Sequence, residues 1–329
     1  MLDLNQVFAA LSSLRVGVIG DVMLDTYMWG QVERISPEAP VPVVSLTRRD
    51  HRIGGAGNVA LNCLSLGAQV HILSVTGRDS EGSNLRALFD EKGIRTGYLL
   101  DSADRITTNK TRIISRNQQM LRLDAEITTD LNPAEETALM DRIRRFIEAE
   151  HPDVIIFEDY NKGVLTETII RETIRLASAA GILTAVDPKR RHFFTYRGVD
   201  IFKPNLKEVK EGLNLLVDTV DREQLQGIHR ELHRLLHHAI SFITLSEKGV
   251  FYQQGDRSAI IPSHLRHIAD VSGAGDTVIA VASLVYAATG NVHLMAEIAN
   301  IAGGLVCEEV GTVAVDRNRL RQECDLLLC

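Results

Sequence analysis

The densest run of small residues is Asp270-Val271-Ser272-Gly273-Ala274-Gly275-Asp276-Thr277, and it leads into the apolar stretch Val278–Thr289. A small-residue loop at a helix start exposes several backbone N–H groups. Those groups and the helix dipole favour an anion, phosphate above all. Gly273 and Gly275 permit close approach and positive φ. Asp276 then stands at the rim of an anion hole, where a general base for a hydroxyl nucleophile is useful. A turn closed by an Asp N-cap is the alternative reading. It does not account for two glycines and an alanine leading into one helix.

A second cluster is Gly54-Gly55-Ala56-Gly57-Asn58-Val59-Ala60. It contains Gly55-x-Gly57-x-x-Ala60, with Asp79 19 residues beyond Ala60, which mimics a dinucleotide fingerprint. That fingerprint needs a buried strand directly upstream. Arg48-Arg49-Asp50-His51-Arg52 stands there instead, so we set the dinucleotide reading aside. A glycine pair also lets backbone approach a ligand, and Asn58 at a helix start offers both donors and acceptors. A tight turn capped by Asn is the plainer alternative.

These loops need a frame. Leu14–Gly20, Val70–Val75, Val154–Glu158, Leu183–Asp187, Asp200–Lys203 and Ser241–Ser246 read as strands. Asn58–Leu66, Asn84–Lys92, Pro133–Glu150, Thr166–Ala180, Arg222–His238, Thr277–Thr289 and Leu294–Cys307 read as helices. Strands alternating with long helices imply an α/β fold: a mostly parallel central sheet with helices on both faces. Val41–Leu46, broken by Pro42, reads as an edge strand. Thr107–Leu123 alternates polar with apolar residues, as exposed antiparallel strands do. Segments 25–46 and 95–123 break the rhythm, and we expect them to form a small β lid within one domain spanning 1–329. Exposed strands leave open edges that proteins usually cover, so a homodimer through the lid is expected. The lone Trp29 fits lid packing.

The 329 residues are 45% hydrophobic and 24% charged, which excludes disorder as the main state. A net charge of −7 argues against a nucleic-acid binder, which is usually basic. An anionic substrate can still meet a local basic pocket. Cys63, Cys307, Cys324 and Cys329 form no CxxC pair, which fits free thiols in a reducing cytoplasm. The N-terminal stretch lacks a secretory pattern, and no run of 18 apolar residues suggests a membrane span. His229, His233 and His237 have metal-like i, i+4 spacing. Arg230, Glu231 and Arg234 around them favour an exposed amphipathic helix.

The two glycine clusters together resemble the ribokinase/PfkB carbohydrate kinase family. Its first signature is matched by Gly54-Gly55-Ala56-Gly57-Asn58-x-Ala60, then Gly67 and Gly77, and its second by Asp270 to Asp276. Val281 departs from the pattern, where the family usually has a small packing residue. Lys203-Pro204-Asn205-Leu206-Lys207-Glu208 resembles the family's Asn-x-x-Glu segment, and Thr244 to Gly249 its turn beside the nucleotide. Longer runs resemble the heptose 7-phosphate kinase branch: Gly20 to Gly30, Arg34 to Val43, Ser115-Arg116-Asn117-Gln118-Gln119, Asp159-Tyr160-Asn161-Lys162-Gly163 and Val186-Asp187-Pro188-Lys189.

The resemblance implies ATP-dependent phosphorylation of a heptose 7-phosphate at its anomeric hydroxyl, on the ADP-heptose route to lipopolysaccharide core. It implies Asp276 as base, with Gly273, Ala274 and Gly275 as anion hole. Asn205, Glu208, Ser246, Gly249 and Asn300 would take the nucleotide, Glu208 organising Mg²⁺ through water. A monovalent cation is a further candidate cofactor. Asp25, Gly54, Gly55 and Asn58 would hold the sugar. For its distal phosphate the order of preference is Lys162, Arg116, Lys189, ahead of Lys110, Arg112 and Arg190. The end at Cys329, without an HxGH-type motif, leads us to expect a stand-alone kinase with a separate adenylyltransferase. A kinase for another sugar or a nucleoside, and a non-catalytic sensor of the same fold, are the competing readings.

Overall fold

The computed structural model describes residues 3–116, 118–216, 221–264 and 266–328. In chain order the first half runs α1 (Leu4–Leu11), β1 (Arg15–Gly20), β2 (Val22–Ile35), β3 (Pro42–Gly55), α2 (Ala56–Ser65), β4 (Gln69–Leu73), β5 (Val75–Gly77), α3 (Ser80–Lys92), β6 (Leu100–Ser102), β7 (Asn109–Ser115), β8 (Gln118–Ala125) and α4 (Pro133–Glu150). The second half runs β9 (Val154–Glu158), α5 (Glu167–Ala180), β10 (Leu183–Asp187), β11 (Ile201–Phe202), α6 (Leu206–Gly212), α7 (Arg222–Leu236), β12 (Ile240–Thr244), β13 (Val250–Gln254), β14 (Arg257–Ile261), α8 (Ala274–Thr289), α9 (Val292–Val306) and α10 (Arg317–Leu328).

Eight strands form the central sheet in the order β14-β13-β12-β11-β10-β9-β1-β4. The pairs from β4 to β12 are parallel, and only the β12-β13 and β13-β14 pairs are antiparallel. Val154–Glu158 is buried along its whole length, as a strand covered on both faces must be. One core joins α1, α2, α8 and α9 to one face through Leu11, Val59, Leu284 and Ile298. A second joins α4, α5 and α7 to the other through Phe146, Ile170 and Leu232.

The lid is a four-stranded sheet in the order β3-β2-β7-β8. It is larger at one end and smaller at the other than expected. The first segment covers Val22–Gly55 rather than 25–46, and the second covers Asn109–Ala125 rather than 95–123. Residues 95–108 stay with the body, where Arg95 bridges to His71 and β6 pairs with β5. The run Arg48–Arg52 looks like a loop by charge, yet it is a paired strand, with Arg48 over Trp29, Arg52 over Tyr27 and against Asp50, and His51 bonded to Thr26. A strand therefore does run directly into Gly54-Gly55, but it belongs to the lid and not to a βαβ unit. Tyr27 and Trp29 stack at 5.6 Å, with the Arg48 guanidinium 3.8 Å from the indole centroid.

One of the three spaced histidines, His229, also departs from expectation. His229 and His238 are buried, and both share the Ser241 hydroxyl at 2.9 and 2.6 Å. Burial lowers the His229 pKa to about 4 and the His238 pKa to about 3. Of the three spaced histidines only His229 turns inward, where Ser241 on β12 partners it, while His233 and His237 are exposed as expected. Cys63 and Cys307 are free and buried, Cys324 is buried, and Cys329 lies outside the described residues. Among the described residues no helix is long and apolar enough to cross a membrane.

Candidate active site

Adjacent parallel strands present their carboxyl ends to the start of α8. In open α/β sheets this edge is where ligands bind. β9 ends in Glu158 and β10 in Asp187, which pair in register, and Lys203 directly follows β11. Gly273 caps α8 with φ +79°, a left-handed conformation that suits glycine. Ala274, Gly275 and Asp276 are the first helical turn itself, so α8 begins three residues before the expected Thr277. The first N–H groups of a helix have no acceptor within it; that of Ala274 meets the Val271 carbonyl at 3.3 Å, which leaves those of Gly275 and Asp276 for a ligand.

Asp276 is buried beneath that turn. Asn58 Nδ2 donates to its Oδ2 at 2.8 Å, and the Tyr160 hydroxyl donates to its Oδ1 at 2.8 Å. Burial pushes the Asp276 pKa up to about 6, against the pull of both hydrogen bonds and of Lys203. A base acts only when ionised. The acid limb of kcat/KM is therefore expected to fall tenfold per pH unit below about pH 6, with a plateau above it. A pH–rate profile checks this, and a limb near pH 4 would contradict it.

Glu158, Asp187 and Asp276 bring carboxylate oxygens within 4.8 Å of one another. Asp187 is answered by Lys203 at 2.8 Å and Lys189 at 3.4 Å. Burial opposes its charge, but the two lysines outweigh burial and hold its pKa below the usual range. Glu158 is fully buried and neither of its carboxylate oxygens has a partner. Burial, then Asp187 and Asp276, push its pKa well up. An orphaned buried carboxylate is rare in a folded protein. Hard oxygen donors of this kind fit a divalent cation such as Mg²⁺.

Lys189 Nζ also donates to Glu208 Oε1 at 2.8 Å and sits 5.7 Å from the Tyr160 ring centre. Asn205 and Glu208 form a capping box at the start of α6 (2.9 and 2.8 Å). Asn205, Glu208 and Lys189 are thus brought to Asp187, on the phosphate side of the site. Ser246, Gly249 and Asn300 meet in a separate cavity of about 560 Å³, walled by Val250, Ile268, Val271 and Val278. Asn300 Nδ2 donates to the Pro262 carbonyl at 2.8 Å. Apolar walls with a few polar groups suit a flat heterocycle. Val271 and Val278 connect this cavity to the anion hole.

The other side of the cleft is the lid. Asp25 on β2 is buried and accepts from Arg112 Nη1 at 2.5 Å. A methyl at Gly54 would overlap the Asp25 carboxylate, so glycine is needed there. Gly55 turns the chain at φ +59° from β3 into α2, which sets Asn58 in its first turn beside Asp276. Lys162 Nζ donates to Glu126 at 2.7 Å, and Lys110 reaches the same carboxylate at 3.5 Å. Lys110 is registered to Asp25, so these cations lie on the Asp25 side of the cleft. Arg116 does not. Ser115 is registered to Gly30, five residues along from Asp25, which puts Arg116, one residue further, about 20 Å up the ladder. Asn117 lies outside the described residues.

Sequence reasoning did not single out Glu158, Asp187, Lys203, Tyr160 or Asp21 for roles. Asp21 accepts from the backbone N–H groups of Tyr160, Lys162 and Val164 (2.9, 3.0 and 3.1 Å), which folds the 159–163 loop under the site. The available signal was an acid ending a fully apolar strand, at Glu158 and Asp187, and the Asp that follows Gly20.

Residues 13–318 match the pfkB family carbohydrate kinase profile. The bifunctional protein HldE of Syntrophotalea carbinolica is 38% identical over 322 residues, covering 97% of this chain and 65% of that protein. The bifunctional protein HldE of Methylobacillus flagellatus is 41% identical over 306 residues, covering 93% of this chain and 62% of that protein. The chain thus spans somewhat under two thirds of the length of these curated relatives. Escherichia coli phosphofructokinase-2 in complex with potassium superposes with a TM-score of 0.79 at 17% identity, covering 96% of this chain and all of that one. Arabidopsis thaliana ribokinase complexed with ribose and ATP gives 0.72 at 15% identity, covering 94% and 99%. The fold is therefore ribokinase-like. With a family match across almost its whole length, the chain belongs to the pfkB family of carbohydrate kinases, which transfer phosphate to a sugar hydroxyl.

Proposed function

We propose that this kinase phosphorylates D-glycero-β-D-manno-heptose 7-phosphate at the C1 hydroxyl with ATP, giving the 1,7-bisphosphate and ADP in the cytoplasm for ADP-heptose synthesis. The observation that carries the reading is the buried Asp276, hydrogen-bonded from the sugar-side Asn58 and set in the first turn of the anion-hole helix. The identity to the HldE proteins supports the heptose assignment.

The heterocycle of ATP lies against Ser246, Gly249 and Asn300, and the N–H groups of the 273–276 turn take the terminal phosphate. Asp25 and Asn58 grip sugar hydroxyls and aim C1–OH at Asp276, which takes its proton as the phosphoryl leaves ADP. Glu158, together with Glu208 through water, would hold Mg²⁺, which supplies charge neutralisation to the phosphate chain. Lys162, with Lys110 and Arg112 near it, takes the 7-phosphate. Lys189 is committed to Glu208 and Asp187 on the nucleotide side. An ADP-release assay with Mg²⁺ and K⁺ present tests the reading. Heptose 7-phosphate should exceed ribose, fructose and adenosine in kcat/KM, and the reverse order would defeat the assignment.

The lid carries the proposed homodimer. By the two-residue period of strands, Leu121 and Leu123 lie opposite Ile113 and Thr111, on the face away from Asp25 and Tyr27. Both are half exposed, and Leu46 is equally so. A second copy would cover them. Light scattering should give a dimer for the parent and a monomer for the double substitution Leu121→Asp, Leu123→Asp; a parent monomer at micromolar concentration would contradict this.

A further inference from the structure

Lys203 has no role in the reading above beyond balancing Asp187, and its placement calls for more. It is 2% exposed, directly after β11, and its ammonium pairs with Asp187 Oδ2 at 2.8 Å. Gly275 faces this pair. A Cβ built on Gly275 would stand 3.8 Å from Lys203 Nζ and 3.5 Å from Asp187 Oδ2, with nothing nearer. The ammonium is thus within about one hydrogen-bonded oxygen of the Gly275 backbone, in the turn whose N–H groups face the terminal phosphate. Lys189, a part-buried cation of the cluster, is spread over Glu208 and Asp187 on the outer side, against the Tyr160 ring.

We propose that Lys203 is a catalytic residue that binds the phosphoryl group in flight, sharing its equatorial oxygens with the N–H groups of the α8 first turn. As the bond from the terminal phosphorus to the ADP oxygen breaks and the bond to the sugar oxygen forms, negative charge spreads over those oxygens. The sugar proton passes to Asp276, so Lys203 need not gain or lose one. Asp187 holds the ammonium in the direction of Gly275 before ATP arrives, which spares reorganisation during transfer. The absence of a side chain at Gly275 leaves the space the oxygens need, and this gives that glycine a second reason besides backbone approach.

The inference rests on phosphoryl transfer by this family and not on which sugar accepts it. The test therefore uses two readouts. The first is turnover with whichever sugar the parent enzyme phosphorylates best. The second is the affinity of ADP with aluminium fluoride, a mimic of the planar phosphoryl, against the affinity of a non-hydrolysable ATP analogue. Lys203→Met should cut kcat by about 10²–10³. It should weaken the ADP–aluminium fluoride complex at least tenfold more than the ATP analogue, and Lys203→Arg should recover part of both. Because Lys203→Met leaves Asp187 without its nearest cation, thermal melting accompanies it, and Lys203→Gln carries the same measurement if the methionine variant does not fold. A folded variant with kcat within tenfold of the parent, or with equal losses for both nucleotide complexes, would overturn the proposal. A parent that prefers a sugar other than heptose 7-phosphate would overturn the substrate reading and leave the Lys203 measurement intact.

Discussion

Replacing Asp276 with asparagine is expected to lower kcat by about 10²–10⁴, the usual contribution of a positioned general base, while ATP affinity stays near that of the parent. The same change is expected to stabilise the fold at pH 8. The Asp276 pKa is about 6 in the folded protein against an ordinary 3.8. Between those values the folded state keeps a proton the unfolded chain has released. The stabilising contribution of this proton is complete below pH 4 and is lost as pH rises through 6, because the ionised carboxylate is disfavoured by burial. Above pH 6 the burden is on the order of 3 kcal/mol. Asparagine removes it and keeps the shape, since its amide can still meet Asn58 and the Tyr160 hydroxyl. Urea unfolding at pH 8 and at pH 4 should show the variant ahead at pH 8 and the advantage gone at pH 4. A variant that is inactive and less stable at pH 8 would mean that Asp276 is a structural anchor and not a base held at a cost.

Asp25→Ala is the second change with a large expected effect. Two hydrogen bonds from sugar hydroxyls to a buried carboxylate contribute about 1.5–3 kcal/mol each. Losing both, offset by partial rearrangement of Arg112, should lower kcat/KM for the sugar by about 10²–10³ with the KM for ATP within twofold. Steady-state kinetics with each substrate varied in turn checks the split. Equal losses for sugar and ATP would show a general collapse of the cleft, and unchanged sugar kinetics would remove Asp25 from the sugar site.

Much of this architecture could be read from residue spacing. The alternation of strands with long helices gives the parallel sheet, and Gly273-Ala274-Gly275-Asp276 announces the anion hole. The unread elements include α1, α6, α10, the short strands β5 and β6, and the β13-β14 hairpin. α1 carries its own signal, with Asp3 as cap and Leu4, Val7, Phe8 and Leu11 on one face. The hairpin does too, since Gly255-Asp256 lies between two β-rich runs. The cluster of Glu158, Asp187 and Lys203 is a different matter. These residues lie 29 and 16 positions apart in sequence and meet only because β9, β10 and β11 are neighbours in the sheet. No local pattern encodes strand order, so their convergence had to be seen. The lid boundaries failed for a related reason: charge at Arg48–Arg52 resembles a loop unless the inward partners of alternate residues are known.

The first lid segment leaves and rejoins the body at one place. Val22 and Gly55, its two ends, pair with each other, and the Ala56 N–H donates to the Asp21 carbonyl at 3.0 Å. On the reading proposed above, Asp25 is thus carried by an excursion attached by a narrow stem and Lys110 and Arg112 by the strand beside it, while the transfer apparatus belongs to the sheet edge and α8. Descendants of one ancestor could trade one sugar for another by rewriting Asp25, Lys110 and Arg112 without disturbing the machinery that moves the phosphoryl group.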